Sequence, residues 1–154
     1  MKRTDITHLN LGCGTNYLPA PWANFDRDMD ITKPLPIADG TVDKILIEHC
    51  LEHVSGPTGF RFLQEAYRIL KPGGVLRICV PELERLDKAA AIDIIVNHGH
   101  EVVFDFKVLS QMLYCAGFAK DAISETERDP IDGHWKVIGL ERDDKETLRL
   151  KAIK

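Results

Sequence analysis

No run among the 154 residues is apolar over a length that could cross a bilayer. Residues 1–10 carry Lys2 and Arg3 but no hydrophobic stretch of signal-peptide length. The expected location is therefore the cytoplasm, with no membrane partner. Cys13, Cys50, Cys79 and Cys115 are far apart and include no C-x-x-C pair, which excludes a disulfide framework or a four-cysteine zinc site. They read as reduced, partly buried thiols. A formal charge of -4 supplies no broad cationic field, so no nucleic acid is expected as partner. Internal repeats and low-complexity linkers are also lacking.

What is present fits a soluble globular chain, with 44% hydrophobic and 29% charged residues. The expected organisation is one domain over residues 1–141 and a charged tail over residues 142–154. Short aliphatic runs at residues 8–11, 22–25, 42–47 and 75–80 predict strands. Phe60, Leu63, Tyr67 and Leu70 recur at helical spacing, and Lys71-Pro72-Gly73-Gly74 then stops that helix. Further helices are expected at about residues 82–97, ending at Gly99, and around Leu109, Met112, Leu113 and Ala116 before Gly117. Two last strands are expected at residues 118–123 and 134–140, around a turn at residues 129–133. Such alternation implies a mostly parallel sheet with helices on both faces and a ligand site at the strands' carboxyl ends.

The first such loop is Leu9-Asn10-Leu11-Gly12-Cys13-Gly14-Thr15-Asn16, where two glycines let backbone approach a ligand closely. The dinucleotide pattern G-x-G-x-x-G fails at Tyr17, and Leu18-Pro19-Ala20-Pro21 cannot start a regular helix. A pyrophosphate needs the N–H groups and dipole of a helix start, whereas S-adenosylmethionine carries no phosphate. The loop therefore favours S-adenosylmethionine over NAD or ATP. Asp26, after the second run, can accept from both ribose hydroxyls. Asp30 and Ile31 could offer a carboxylate to the adenine amino group and an apolar contact to its ring.

In order and spacing, the glycine loop, Phe25-Asp26, the stretch from Leu35 to Asp43, Glu48-His49-Cys50-Leu51-Glu52-His53 and Ala66-Tyr67-Arg68-Ile69-Leu70-Lys71-Pro72-Gly73-Gly74 resemble the class I S-adenosylmethionine-dependent methyltransferases. The resemblance implies an α/β, Rossmann-like sheet, mostly parallel with an antiparallel C-terminal strand. This sequence departs from the family in its reduced flanking helices, those beside the second strand being cut to short loops. It implies S-adenosylmethionine as cofactor, held by Gly12, Cys13, Gly14, Asn16, Asp26, Asp30 and Ile31, with Glu48 and His49 beside the methionine end. Asn16 stands where the family usually has a third glycine. The implied reaction is methyl transfer to a small-molecule acceptor, with His100 and His49 as candidate catalytic groups. No Asn-Pro-Pro-Tyr-like motif follows the strand at residues 42–47, which disfavours methylation of nucleobase amino groups.

Two other readings use the same residues. The trimmed helices, with no inserted substrate-binding segment, allow a non-catalytic module that binds the cofactor. His49-Cys50-Leu51-Glu52-His53 matches the H-x-x-E-H pattern of inverzincin zinc hydrolases. That motif follows a strand within a methyltransferase-like block, without the zinc scaffold such enzymes need. It reads as a packed strand-to-helix junction, and no metal site is expected. His134 and Trp135 read as sheet-end packing.

Overall fold

The computed structural model describes residues 2–127 and 146–154. Strands β1 (His8–Leu11), β2 (Trp22–Phe25) and β3 (Val42–Glu48) come first. Helix α1 (Gly56–Ile69) then leads directly into β4 (Leu70–Pro81). After these follow α2 (Lys88–Asn97), α3 (Phe106–Ala116), β5 (Ile123–Glu125) and β6 (Thr147–Ile153). The described strands form one sheet in the order β2-β1-β3-β4-β6-β5. The pairings among β1 to β4 are parallel, and β6 runs antiparallel to both β4 and β5. No helix fills the connections at residues 12–21 and 26–41, as the reduced-helix expectation holds. No described helix is long and apolar enough to cross a membrane.

Register aligns the core across the sheet: Leu11 pairs with Ile47, Ile47 with Ile78 and Ile78 with Leu150, all fully buried. Side chains alternate between faces, so the neighbouring row carries Asn10, Leu46, Arg77 and Lys151. Helices α1 and α3 set Phe62, Leu63, Ala66, Leu109 and Leu113 into the same apolar cluster as Leu11 and Ile78. Helix α2 buries no residue. Among the described residues, helices therefore cover the apolar face, and the expected cover on both faces is not found. The buried stripe of α1 is Gly59, Phe62, Leu63, Ala66 and Ile69. It is rotated from the expected one because Phe60 and Tyr67 lie at its flank, where Tyr67 meets Phe118 edge-on at 5.1 Å.

Other expectations are corrected. Residues 118–123 do not form a strand: Phe118 is a buried anchor, Lys120–Ala122 is a 3-10 turn, and β5 begins at Ile123. The helix expected over residues 82–97 splits into a 3-10 turn at Leu83–Arg85 and α2, because Asp87 caps α2 by accepting from the Ala90 N–H. The largest difference concerns the charged tail. Thr147–Ile153 is a strand inside the sheet, with Leu148, Leu150 and Ala152 fully buried. The strand expected at residues 134–140, its turn, His134 and Trp135 lie outside the described residues.

Candidate functional site

Because β2 and β3 flank β1, the loops leaving β1 and β3 diverge at the carboxyl end of the sheet and open a crevice. The β1 loop turns through Gly12 at φ +64° and Gly14 at φ +51°, where side chains are disfavoured. A Cβ at Gly12 would also stand 2.6 Å from Cys50 Cβ and Sγ, so the β1 and β3 loops meet only with glycine there. Buried Asn10 fastens the loop, donating from Nδ2 to the Asn16 carbonyl at 2.9 Å and to Asn24 Oδ1 at 2.8 Å. Asn24 in turn accepts from the Leu18 N–H and donates to the Leu18 carbonyl, each at 2.9 Å. Asn16 donates to Glu48 Oε2 at 3.1 Å and so ties the β1 loop to the end of β3.

Below these loops lies a cleft of about 360 Å³, lined by Gly12, Asp26, Asp30, Ile31, Cys50 and Val54 among others. Asp26 directly follows β2, and its N–H donates to Asp28 Oδ1 at 3.1 Å, which sets the turn. Asp30 accepts at Oδ1 from the Thr32 N–H and hydroxyl, at 2.9 and 2.7 Å, and pairs through Oδ2 with Lys33 at 3.0 Å. Led by the Thr32 hydrogen bonds, these contacts hold its carboxyl down at about 2. Burial pushes the Cys50 thiol up to about 12 and the Cys13 thiol upward, so neither is a thiolate nucleophile at neutral pH.

A second cleft, of about 330 Å³, is lined by His49, His53, Leu86, Ile94, His98 and His100 among others. His53 borders both clefts. His49 follows β3 at φ +47°, an uncommon conformation outside glycine, and its N–H donates to the Cys79 carbonyl at 2.9 Å. Its Nδ1 is 3.4 Å from Glu52 Oε1, yet neither atom has a hydrogen-bond partner. Burial pulls His100 below the ordinary histidine range, which favours the neutral ring.

A family model described as a methyltransferase domain matches residues 23–78. A probable S-adenosylmethionine-dependent methyltransferase of Mycolicibacterium smegmatis is 30% identical over 84 residues, which are 54% of this chain. The match spans only 31% of that relative's length. Among solved structures, a SAM-dependent methyltransferase from Archaeoglobus fulgidus superposes with a TM-score of 0.64 at 14% identity, over 96% of this chain and 86% of that one. A SAM-dependent methyltransferase from Thermotoga maritima gives 0.62 at 18% identity, over 96% and 82%. The chain has the class I methyltransferase fold.

Within that fold the sequence-predicted residues separate into two groups. Gly12, Asp26, Asp30 and Ile31 line the first cleft, while Gly14, Cys13 and Asn16 build the loop beside it and Glu48 is bound to Asn16. His49 and His100 come together instead in the second cleft. Sequence reasoning passed over Asn10 and Asn24, which hold the glycine loop, and Val54, which lines the first cleft. The available signal was asparagine within short aliphatic strands, since a buried amide must find partners.

Proposed function

We propose that the protein binds S-adenosylmethionine and transfers its methyl group to a small-molecule acceptor. The observation that carries this reading is the pair of clefts that share His53 as a bordering residue. The first suits a nucleoside: the exposed Asp26 carboxylate can accept from two adjacent hydroxyls, and Ile31 and Val54 offer an apolar wall for a base. Asp30 reaches an adenine amino group only by sharing or exchanging its Lys33 partner at Oδ2. The Gly12 to Gly14 backbone, with Asn16 and Glu48, flanks the methionine end. No helix starts in residues 12–21, so no helix dipole is aimed at a pyrophosphate.

When bound, the cofactor supplies an electrophilic methyl on a positively charged sulfur. The protein's part is to hold the acceptor in line and keep water out, which lowers the entropic cost of meeting. The second cleft falls in the size range of small-molecule sites. His49 and His100 present ring nitrogens there that can take the proton of a neutral acceptor. The free thiols of Cys13, Cys50, Cys79 and Cys115 support a cytoplasmic setting.

Calorimetry with adenosylhomocysteine and with NAD tests the proposal. Binding of adenosylhomocysteine without NAD is expected. NAD binding with no adenosylhomocysteine binding would remove the basis for the assignment.

A further inference from the structure

The short turn Leu51–His53 after β3 is docked onto the loop that follows α2: the Glu101 and Val102 N–H groups donate to the Glu52 carbonyl at 2.8 and 3.2 Å. This backbone contact brings His100 beside Glu52 and His53. One donor atom from each of the three side chains lies within 4.8 Å of the others. Metal bonds of about 2.0–2.2 Å at tetrahedral angles set donors about 3.3–3.6 Å apart, so side-chain rotations that draw the donors together by up to about 1.5 Å would close the set.

The two buried members, Glu52 and His100, have unmet requirements that a cation would satisfy, and His53 has a free lone pair to offer. Glu52 is 1% exposed, and both carboxylate oxygens are buried with no hydrogen bond. Among the described residues no lysine or arginine pairs with it, and its ion-pair neighbour is His49, 3.4 Å from Oε1 and a counter-charge only when protonated. A buried carboxylate without a permanent counter-charge is costly. His100 is 8% exposed, with Nδ1 buried and unpartnered, and its ring meets that of His53 edge-on at 4.6 Å. His53 Nδ1 is 3.3 Å from the Gly99 carbonyl, which can only accept, so Nδ1 donates and the lone pair is left on Nε2. A ligand histidine is commonly oriented in this way by a carbonyl behind it.

We infer that Glu52, His53 and His100 bind one divalent first-row transition metal ion at the wall of the second cleft. Two imidazoles and one carboxylate suit zinc, cobalt, manganese or iron rather than calcium or magnesium. Three protein donors leave coordination positions open, and His53 and His100 both line that cleft. With His100 on the metal, His49 is the histidine left to accept a proton. The set differs from the H-x-x-E-H pair His49 and His53, because His100 arrives from a loop distant in sequence. The inference stands apart from the methyltransferase reading, since its test reads metal binding alone.

The test uses full-length protein without an affinity tag, stripped by a chelator, then titrated calorimetrically with Zn²⁺ and spectroscopically with Co²⁺. One equivalent should bind, and the Co²⁺ spectrum should show d–d bands without thiolate charge transfer. Glu52→Gln and His100→Ala should each weaken binding by more than the roughly 10- to 100-fold that loss of an outer-shell partner causes. His53 is exposed, so His53→Ala should preserve the fold and give the same loss. His98→Ala, in the same cleft but outside the set, should bind like the parent. Folded protein that takes up no metal, a thiolate charge-transfer band, or unchanged binding by His53→Ala would each overturn the site.

Discussion

Asp26 and Asp28 are two residues apart and both exposed, yet their positions assign them different work. Asp26 presents its carboxylate to the first cleft, whereas Asp28 spends an oxygen on the Asp26 N–H. A hydrogen bond to a charged group contributes about 1.5–3 kcal/mol, and about 1.4 kcal/mol is tenfold in affinity. Asp26→Ala should therefore weaken adenosylhomocysteine binding by roughly ten- to a hundredfold with an unchanged melting temperature. Asp28→Ala should have a smaller effect. Parent-like binding by Asp26→Ala would show that another group holds the ribose. At this scale the sequence was informative where chemistry is local: Gly12, Asp26 and Ile31 follow their strands and line the cleft. It was silent where partners are distant, as with Asn16 to Glu48 or Glu52 to His100, since nothing in either segment records the other.

The segment before β3 is anchored by one arginine of α1. Arg68 donates to both carboxylate oxygens of Glu65, to Asp39 Oδ1, and to the Ile37 and Leu35 carbonyls. Glu65 also accepts from the Leu35 N–H at 3.0 Å. Arg68→Ala should cost about 1.5–3 kcal/mol in chemical denaturation, because a partly buried carboxylate and two carbonyls lose their donor. The Arg68 hydrogen bonds hold the Glu65 carboxyl below its ordinary range. The unfolded chain then binds this proton more readily, so the stability it confers is present above the unfolded pKa of about 4.3 and is lost as pH falls through the lower folded value. Glu65→Gln should lose less stability than the parent between about pH 5 and about pH 3.5; equal losses would dismiss the linkage. Among the elements, β1 and β2 match their predicted bounds because each is a four-residue apolar-rich stretch set off by a breaker, Gly12 after β1 and Pro21 before β2. The strand β6 was legible too, for Thr147-Leu148-Arg149-Leu150-Lys151-Ala152-Ile153 alternates in period 2. Its charges, continuous with those of residues 141–146, masked that alternation.

For the whole molecule, β6 is a closing strand between β4 and β5. Leu150→Ala should cost about 2–5 kcal/mol, a large share of a typical stability of about 5–15 kcal/mol. Deletion of residues 147–154 should abolish cooperative thermal unfolding, and a deletion variant that melts like the parent would contradict this placement. The sheet order also sets the two clefts side by side, one at the β1 and β3 loops and the other against the loop after α2. The most direct measurement of the central claim is a crystal structure of the full chain grown with adenosylhomocysteine. The account predicts the ribose on Asp26, the adenine along Ile31, and the sulfur directed past His53 toward His49 and the second cleft. Adenosylhomocysteine bound elsewhere, or its absence from the first cleft at saturating concentration, would contradict it.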